Sequence, residues 1–449
     1  MPTLPGDDAR RIMWGFADRP DLQLLVHSVR GVARGPVARL VALGARNPCE
    51  RTPEKQELRR AYNNAGIVGL FNEPPQSGHT EGPRNLARAL AAFELAWVDA
   101  SVATGGFMPR DHGGIMVAAR LLSAVEPLIR YQRGRFHGGS PAGPGSPRYE
   151  LGLQLKDDAV HRLVDVWSAG EACAALGFEA ARLLDRLETL ERAGCPMAER
   201  AMLESAANVL GPACKLWHSG HGSRMMREAA QLMGGYGMTE DCPGFLGYKW
   251  VDLQMEAACD GPEAVRRQLG EAMTNELFLT QFRGWIRDTQ ALADSHPETG
   301  ACALTIAMEM WLWTLQRVPH ATGTLANVLC RLLASRSQIL GLIELQQKGR
   351  DHPSLAGSLP WTVSILSGLC HVQAAHTAGE VGRVCAEWVY GSHRDAAGDQ
   401  TAFRDMQTLL ESSLAESLLA KDRVAEVLTQ VTIPEAPDYP ARNHPESAS

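Results

Sequence analysis

The chain has 449 residues, 45% hydrophobic and 21% charged, the balance of a folded globular protein with length for two or three domains. Its formal net charge of −7 argues against a nucleic-acid-binding role, which needs a concentrated basic face, and short basic pairs such as Arg10-Arg11 and Arg266-Arg267 are balanced by nearby acids. The ten cysteines run from Cys49 to Cys385 without a CxxC pair, so they read as reduced, buried thiols rather than a disulfide frame or zinc site. The amino terminus, MPTLPGDDARRIM, lacks the apolar core of a secretory signal, and a cytoplasmic location is expected.

Residues 20–45 carry apolar side chains at helical spacing (Leu22, Leu25, Val26, Val29, Val32), with Gly31 and Gly35 as weak points. TPEKQELRRAYNNAG predicts a helix with Thr52 as N-cap, Pro53 at the first helical position and a stop at Gly66. RNLARALAAFELAWVDASVAT is a third helix, ending at Gly105-Gly106. The next opens near Gly114 and runs through IMVAARLLSAVEPLIRYQRGRF, with Pro127 expected to bend it. After the loop HGGSPAGPGSP come two long alanine-rich periodic segments, and an antiparallel helical bundle is the economical arrangement. Beyond Gln268 the pattern stays helical, and ACALTIAMEMWLWTL, interrupted by Glu309, reads as a buried core helix too short to span a bilayer. The tail PEAPDYPARNHPESAS has no periodic apolar pattern and is expected to be flexible.

Chemistry concentrates in QLMGGYGMTEDCPGFLGYKWVDLQMEAACDGPEAVRRQ, from Gln231 to Gln268. Gly234 and Gly235 follow a helix, so a C-cap accounts for them as readily as close approach of a ligand to bare backbone. No strand precedes them and no GxGxxG is present here, so dinucleotide binding of the Rossmann type is not implied. His218 and His221 have a spacing that can bind metal, but with no third ligand in view they are read as ordinary core or surface histidines. There is no GxSxG elbow to make Ser219 or Ser223 a nucleophile, Asp111-His112 reads as loop, and Trp311 and Trp313 as core or interface aromatics.

This segment resembles the signature of the acyl-CoA dehydrogenase family: a glutamine, two glycines and a glycine, a proline-containing stretch, an RD pair, then an acid before glycine and a helix ending in QR. The resemblance covers about residues 10–270 and is most specific over Gln231–Gln268. It implies that Gln231, Gly234, Gly235 and Gly237 contact the adenosine-diphosphate half of FAD, often across a subunit interface. IRYQRGRFHG is similar to the family's YxxxR segment and places Arg135 at the FAD pyrophosphate. Asp260 falls where the family has the glutamate that removes the α-proton of an acyl thioester. The carboxylate at the start of a helix is equally explained by the helix dipole.

Two departures stand out. The acid is aspartate, one methylene shorter than glutamate, and the RD pair is Val251-Asp252. The family also carries a β domain of about a hundred residues between the amino-terminal helices and the bundle, covering the flavin ring. Here TGGF at 104–107 meets the next helix through MPRDHGG alone. The expected architecture is therefore mainly α: an amino-terminal helical domain at 1–107, a bundle with the FAD and base segment at 114–270, a carboxy-terminal helical extension at 271–432, and a tail at 433–449, without the middle β domain. The resemblance implies oxidation of an acyl-CoA to the 2,3-enoyl-CoA with FAD, electron-transfer flavoprotein as acceptor, and a homo-oligomer. The alternative is a non-catalytic subunit assembled with a complete homologue.

Overall fold

The computed structural model describes residues 19–43, 52–67, 83–99, 113–135, 157–239, 241–258, 261–351, 355–391 and 400–430. Every regular element among them is helical, and no strand occurs among the described residues. The amino-terminal helices are α1 (Pro20–Val32), α2 (Ala38–Leu43), α3 (Pro53–Asn64) and α4 (Arg84–Val98). A π turn at Ala33–Val37 joins α1 to α2 and absorbs Gly35 and Pro36, which an unbroken α-helix would disfavour. At the start of α3 the Thr52 hydroxyl accepts from the Lys55 N–H at 3.2 Å, and beyond its end Gly66 has a φ of +70°. Both ends match the sequence signals.

The start of α4 is solved differently. Pro83 precedes it and offers no capping side chain, so the carboxylate of Asp185 accepts from the backbone N–H of Asn85 at 2.8 Å and of Leu86 at 2.9 Å. Asp185 belongs to α6 (Asp157–Arg192), the centre of the molecule. It packs against α5 (Gly113–Arg135), α7 (Met197–Trp217) and α8 (Ser223–Leu232), which are followed by α9 (Leu246–Ala258) and α10 (Pro262–Ala272). Two glycines bring α5 close to α6. A methyl on Gly170 would lie 2.9 Å from Leu122, and one on Gly177 would lie 2.8 Å from Ile115. These pairings run in opposite chain directions, so α5 and α6 are antiparallel, and α7 returns antiparallel through the contacts of Cys214 with Leu176 and His218 with Cys173. The expected bundle is present.

The remaining helices are α11 (Glu276–Ser295), α12 (Ala301–Arg317), α13 (Thr322–Lys348), α14 (Leu359–Gly391), α15 (Thr401–Ser413) and α16 (Ser417–Gln430). α13, α14 and α16 pack directly on α6. Ser168 donates to the Leu369 carbonyl at 2.8 Å, Arg182 pairs with Glu344 at 3.2 Å and Lys421 with Asp165 at 2.6 Å. Buried side chains from Leu22 to Leu428 form one connected core. Covered on several sides, α6 buries residues around its whole circumference rather than along one stripe. In α12, Trp311 is fully buried and donates its indole N–H to the Leu325 carbonyl at 2.9 Å, while Glu309 points to solvent. No described helix is long and apolar enough to cross a membrane. The stretch between α4 and α5, residues 99–112, is too short for a β domain, as the sequence implied.

Candidate functional site

α8 ends at Leu232, and the chain turns through a short 3-10 segment, Gly234–Met238, before α9. The three glycines there have three different reasons. Gly234 has a φ of +64°, the left-handed conformation of a helix C-cap. Gly237 is buried, and a methyl on it would fall 2.2 Å from the Ala230 carbonyl oxygen. Gly235 is exposed, and an added methyl would meet nothing within 4 Å. Gln231 is exposed on the last turn of α8. Geometry of the chain itself thus explains Gly234 and Gly237, and Gly235 is the glycine left open on the surface.

Arg135 comes to this turn from the far end of α5. Its guanidinium donates to the Tyr131 hydroxyl at 3.0 Å, and Tyr131 packs on Tyr236, with ring centroids 5.8 Å apart. One turn from Arg135 on α5, the buried side-chain amide of Gln132 donates to the Leu232 carbonyl, fastening the end of α5 to the end of α8. The arginine and the glycine turn, separated by about a hundred residues, are therefore neighbours. Met238 in the turn is 52% exposed and approaches α9 at Gly247, and one turn further along α9 Val251 is 43% exposed. Val251 is the residue standing in place of the arginine of an RD pair. Asp260, the predicted base, lies outside the described residues, as does Asp111-His112. Gly261, which follows Asp260, has a φ of +57° and opens α10.

A second group was not anticipated. Arg120 of α5 is buried to 1% exposure and pairs with Glu256 of α9 at 2.8 Å. One turn earlier on α9, Asp252 is buried, and its Oδ1 has no hydrogen-bond partner. Burial pushes the Asp252 carboxyl up to about 7; Arg120 opposes the shift, and the Asp99 and Glu256 charges add to it. The Glu256 carboxyl is likewise raised by burial against the pull of Arg120. Lys249 on the same helix donates to the Ser123 hydroxyl at 2.6 Å. The sequence signal was the i, i+4 pair of acids Asp252 and Glu256 on one helix, but the cation that pairs with Glu256 lies on another helix.

The two histidines at metal-ligand spacing are engaged within the protein. His218 is fully buried, with Nε2 2.8 Å from the Cys173 carbonyl oxygen, and His221 stacks on Trp217 at 4.2 Å. No group of His, Cys, Asp and Glu able to hold a metal occurs among the described residues. Ser219 donates to the Lys215 carbonyl at 2.6 Å, and Ser223 accepts from the Gln254 amide at 3.1 Å.

These features define a helical protein whose central bundle ends in a glycine turn faced by an arginine. The family model of the acyl-CoA dehydrogenase, C-terminal domain matches residues 156–273, which span α6 to α10. No curated protein matches the chain. Among solved structures, the chain is similar to an acyl-CoA dehydrogenase complexed with FAD from Bacillus anthracis, at 12% identity and a TM-score of 0.50, covering 77% of this chain and 56% of that one. It is also similar to Arabidopsis thaliana acyl-CoA oxidase 1, at 15% identity and a TM-score of 0.44, covering 76% of this chain and 51% of that one. Residues 156–273 thus match the C-terminal domain of the acyl-CoA dehydrogenase family, and the helices around them share the fold of the Bacillus anthracis structure. It spans little more than half the length of these relatives.

Proposed function

We propose that the chain is an acyl-CoA dehydrogenase-type flavoprotein that oxidises an acyl-CoA thioester to the 2,3-enoyl-CoA. The observation that carries this reading is the meeting of Arg135 with the glycine turn through Tyr131 and Tyr236. A guanidinium beside exposed backbone at Gly234 and Gly235 suits the adenosine-diphosphate half of FAD, because a fixed cation complements a pyrophosphate and the missing side chains leave room for it. Gln231 on the same exposed edge adds an amide. FAD, when bound, supplies the two-electron acceptor for the chemistry. Asp260 is assigned the α-proton of the thioester on the family resemblance, because α-proton removal needs a carboxylate base and this acid directly precedes Gly261 in the sequence. Electron-transfer flavoprotein is the proposed acceptor of the reduced flavin's electrons.

The test is anaerobic bleaching of FAD-loaded protein by acyl-CoA. Asp260→Asn should retain FAD and lose the bleaching; bleaching at the wild-type rate removes Asp260 from this role.

A second reading is favoured by the short 99–112 connection and by the exposed Met238 and Val251 beside the turn. In it the chain is a non-catalytic subunit that assembles with a complete homologue and lends its glycine turn to that partner's FAD. Those apolar side chains suit a protein surface better than water. Co-migration with such a homologue on size exclusion supports this reading, and separate elution of the two chains counts against it.

A further inference from the structure

Four arginines converge on a cleft away from the glycine turn. Arg224 of α8, Arg266 of α10, Arg331 of α13 and Arg383 of α14 line a cavity of about 380 Å³, with Glu380 the single carboxylate among its lining residues. Such a concentration of positive charge is unexpected in a chain whose formal net charge is −7.

Acids satisfy only part of it. Arg383 holds Glu380 through Nε to Oε2 at 3.0 Å and Nη2 to Oε1 at 3.2 Å, and reaches Glu387 at 3.1 Å. Arg266 is tied to Glu263, yet its Nε is buried without an acceptor. Arg224 and Arg331 form no hydrogen bond or ion pair among the described residues. Arg331 is fixed instead by the Trp217 ring, 5.2 Å from its guanidinium, and the same ring stacks on His221. Burial lowers the basicity of Arg331, and its neighbours Arg224 and Arg383 lower it further against the pull of Glu380. His221 is held neutral by burial and by Arg331 and Arg224. Like charges crowd here with too few counter-charges.

We propose that this cleft binds a phosphate-bearing small molecule through Arg224, Arg266 and Arg331. Several guanidinium forks around one oxyanion relieve their mutual repulsion and supply paired N–H donors to its oxygens. Because Trp217 is already engaged by Arg331 and His221, recognition falls on the phosphate rather than on a stacked ring. The cavity exceeds what one phosphate fills, so a diphosphate or a substituted phosphate is the fitting class. The ligand would bridge the bundle, through α8 and α10, to the carboxy-terminal helices α13 and α14. α10 is also the helix that opens just after Asp260, so occupancy would brace the segment that carries it. The inference does not depend on the flavin reading.

The test is calorimetric titration of the full chain with inorganic pyrophosphate, against chloride at matched ionic strength. Saturable binding at the cleft is expected. Arg331→Gln and Arg224→Gln should each weaken it by about tenfold or more, the scale of a lost charge-assisted contact. Arg135→Gln removes the proposed flavin-pyrophosphate contact at the glycine turn, and the cleft site weakened by Arg331→Gln and Arg224→Gln should persist in it. Arg224 is exposed, so its variant carries the test if Arg331→Gln does not fold. Binding no stronger than that of chloride, wild-type affinity in both cleft variants, or loss of binding in Arg135→Gln would each overturn the proposal.

Discussion

Gly235 and Gly237 sit two residues apart in one turn and lack side chains for opposite reasons. A methyl on Gly237 would fall 2.2 Å from the Ala230 carbonyl oxygen, so Gly237→Ala should destabilise the fold by about 2 kcal/mol or more, read as a drop in thermal midpoint. Gly235→Ala meets open space and should leave the midpoint unchanged while weakening FAD, if the turn holds it. Asp252 gives a pH prediction. Its folded carboxyl titrates near 7, raised from an ordinary value of 3.8. Between those two values the folded state keeps a proton that the unfolded state releases, so stability from this group is full below pH 4 and falls as pH rises through 7. Asp252→Asn should be more stable than wild type at pH 8, by at most about 4 kcal/mol, and equal to it near pH 4. A chemical-denaturation series across pH checks this, and parallel curves for the two proteins contradict it. At this scale the sequence was most legible where a residue acts on its own neighbours: Thr52, Gly66 and Gly234 all behave as local backbone chemistry requires. Asp252 and Arg120 were not legible, because burial and pairing across helices set their behaviour.

Among the elements, α4 shows how a helix boundary can depend on a distant residue. Its first N–H groups are satisfied by Asp185 of α6, since Pro83 has nothing to offer. Asp185→Ala should therefore cost about 2 kcal/mol and loosen the start of α4, seen as faster amide exchange at Asn85 and Leu86. Unchanged exchange there would show that water replaces the carboxylate without loss. Apolar periodicity located the helices well, because each one hides a face. It could not tell which helix covers which, or that a π turn would absorb Gly35-Pro36. The antiparallel bundle followed from long helices with short connections, and the glycines of α6 that set its closeness to α5 act only through the facing Leu122 and Ile115.

For the whole molecule, the mainly helical class was plain from the scarcity of alternating segments, and the short junction after Phe107 already spoke against a β domain. The manner in which the carboxy-terminal helices join the bundle was not, because a helix buried on several sides shows no single stripe to assign to a partner. α13, α14 and α16 cover α6 directly, with Ser168, Arg182 and Asp165 bonded across the contact. A fragment ending at residue 270 would leave that surface bare, and it should lose the cooperative thermal transition of the full chain; a sharp transition in the fragment would show the bundle to be self-sufficient. The candidate site was legible as a motif and not as geometry: the link of Arg135 to the glycine turn through Tyr131 and Tyr236, and the exposure of Met238 and Val251, come from the packing of α5, α8 and α9. The central claim is that this face holds the adenosine-diphosphate half of FAD. Titrating FAD into the full chain, followed by flavin absorbance and fluorescence, tests it most directly: the account predicts saturable binding that Arg135→Gln weakens by about tenfold or more, whereas a chain that takes up no flavin, or an Arg135→Gln variant that binds it as tightly as wild type, would contradict it.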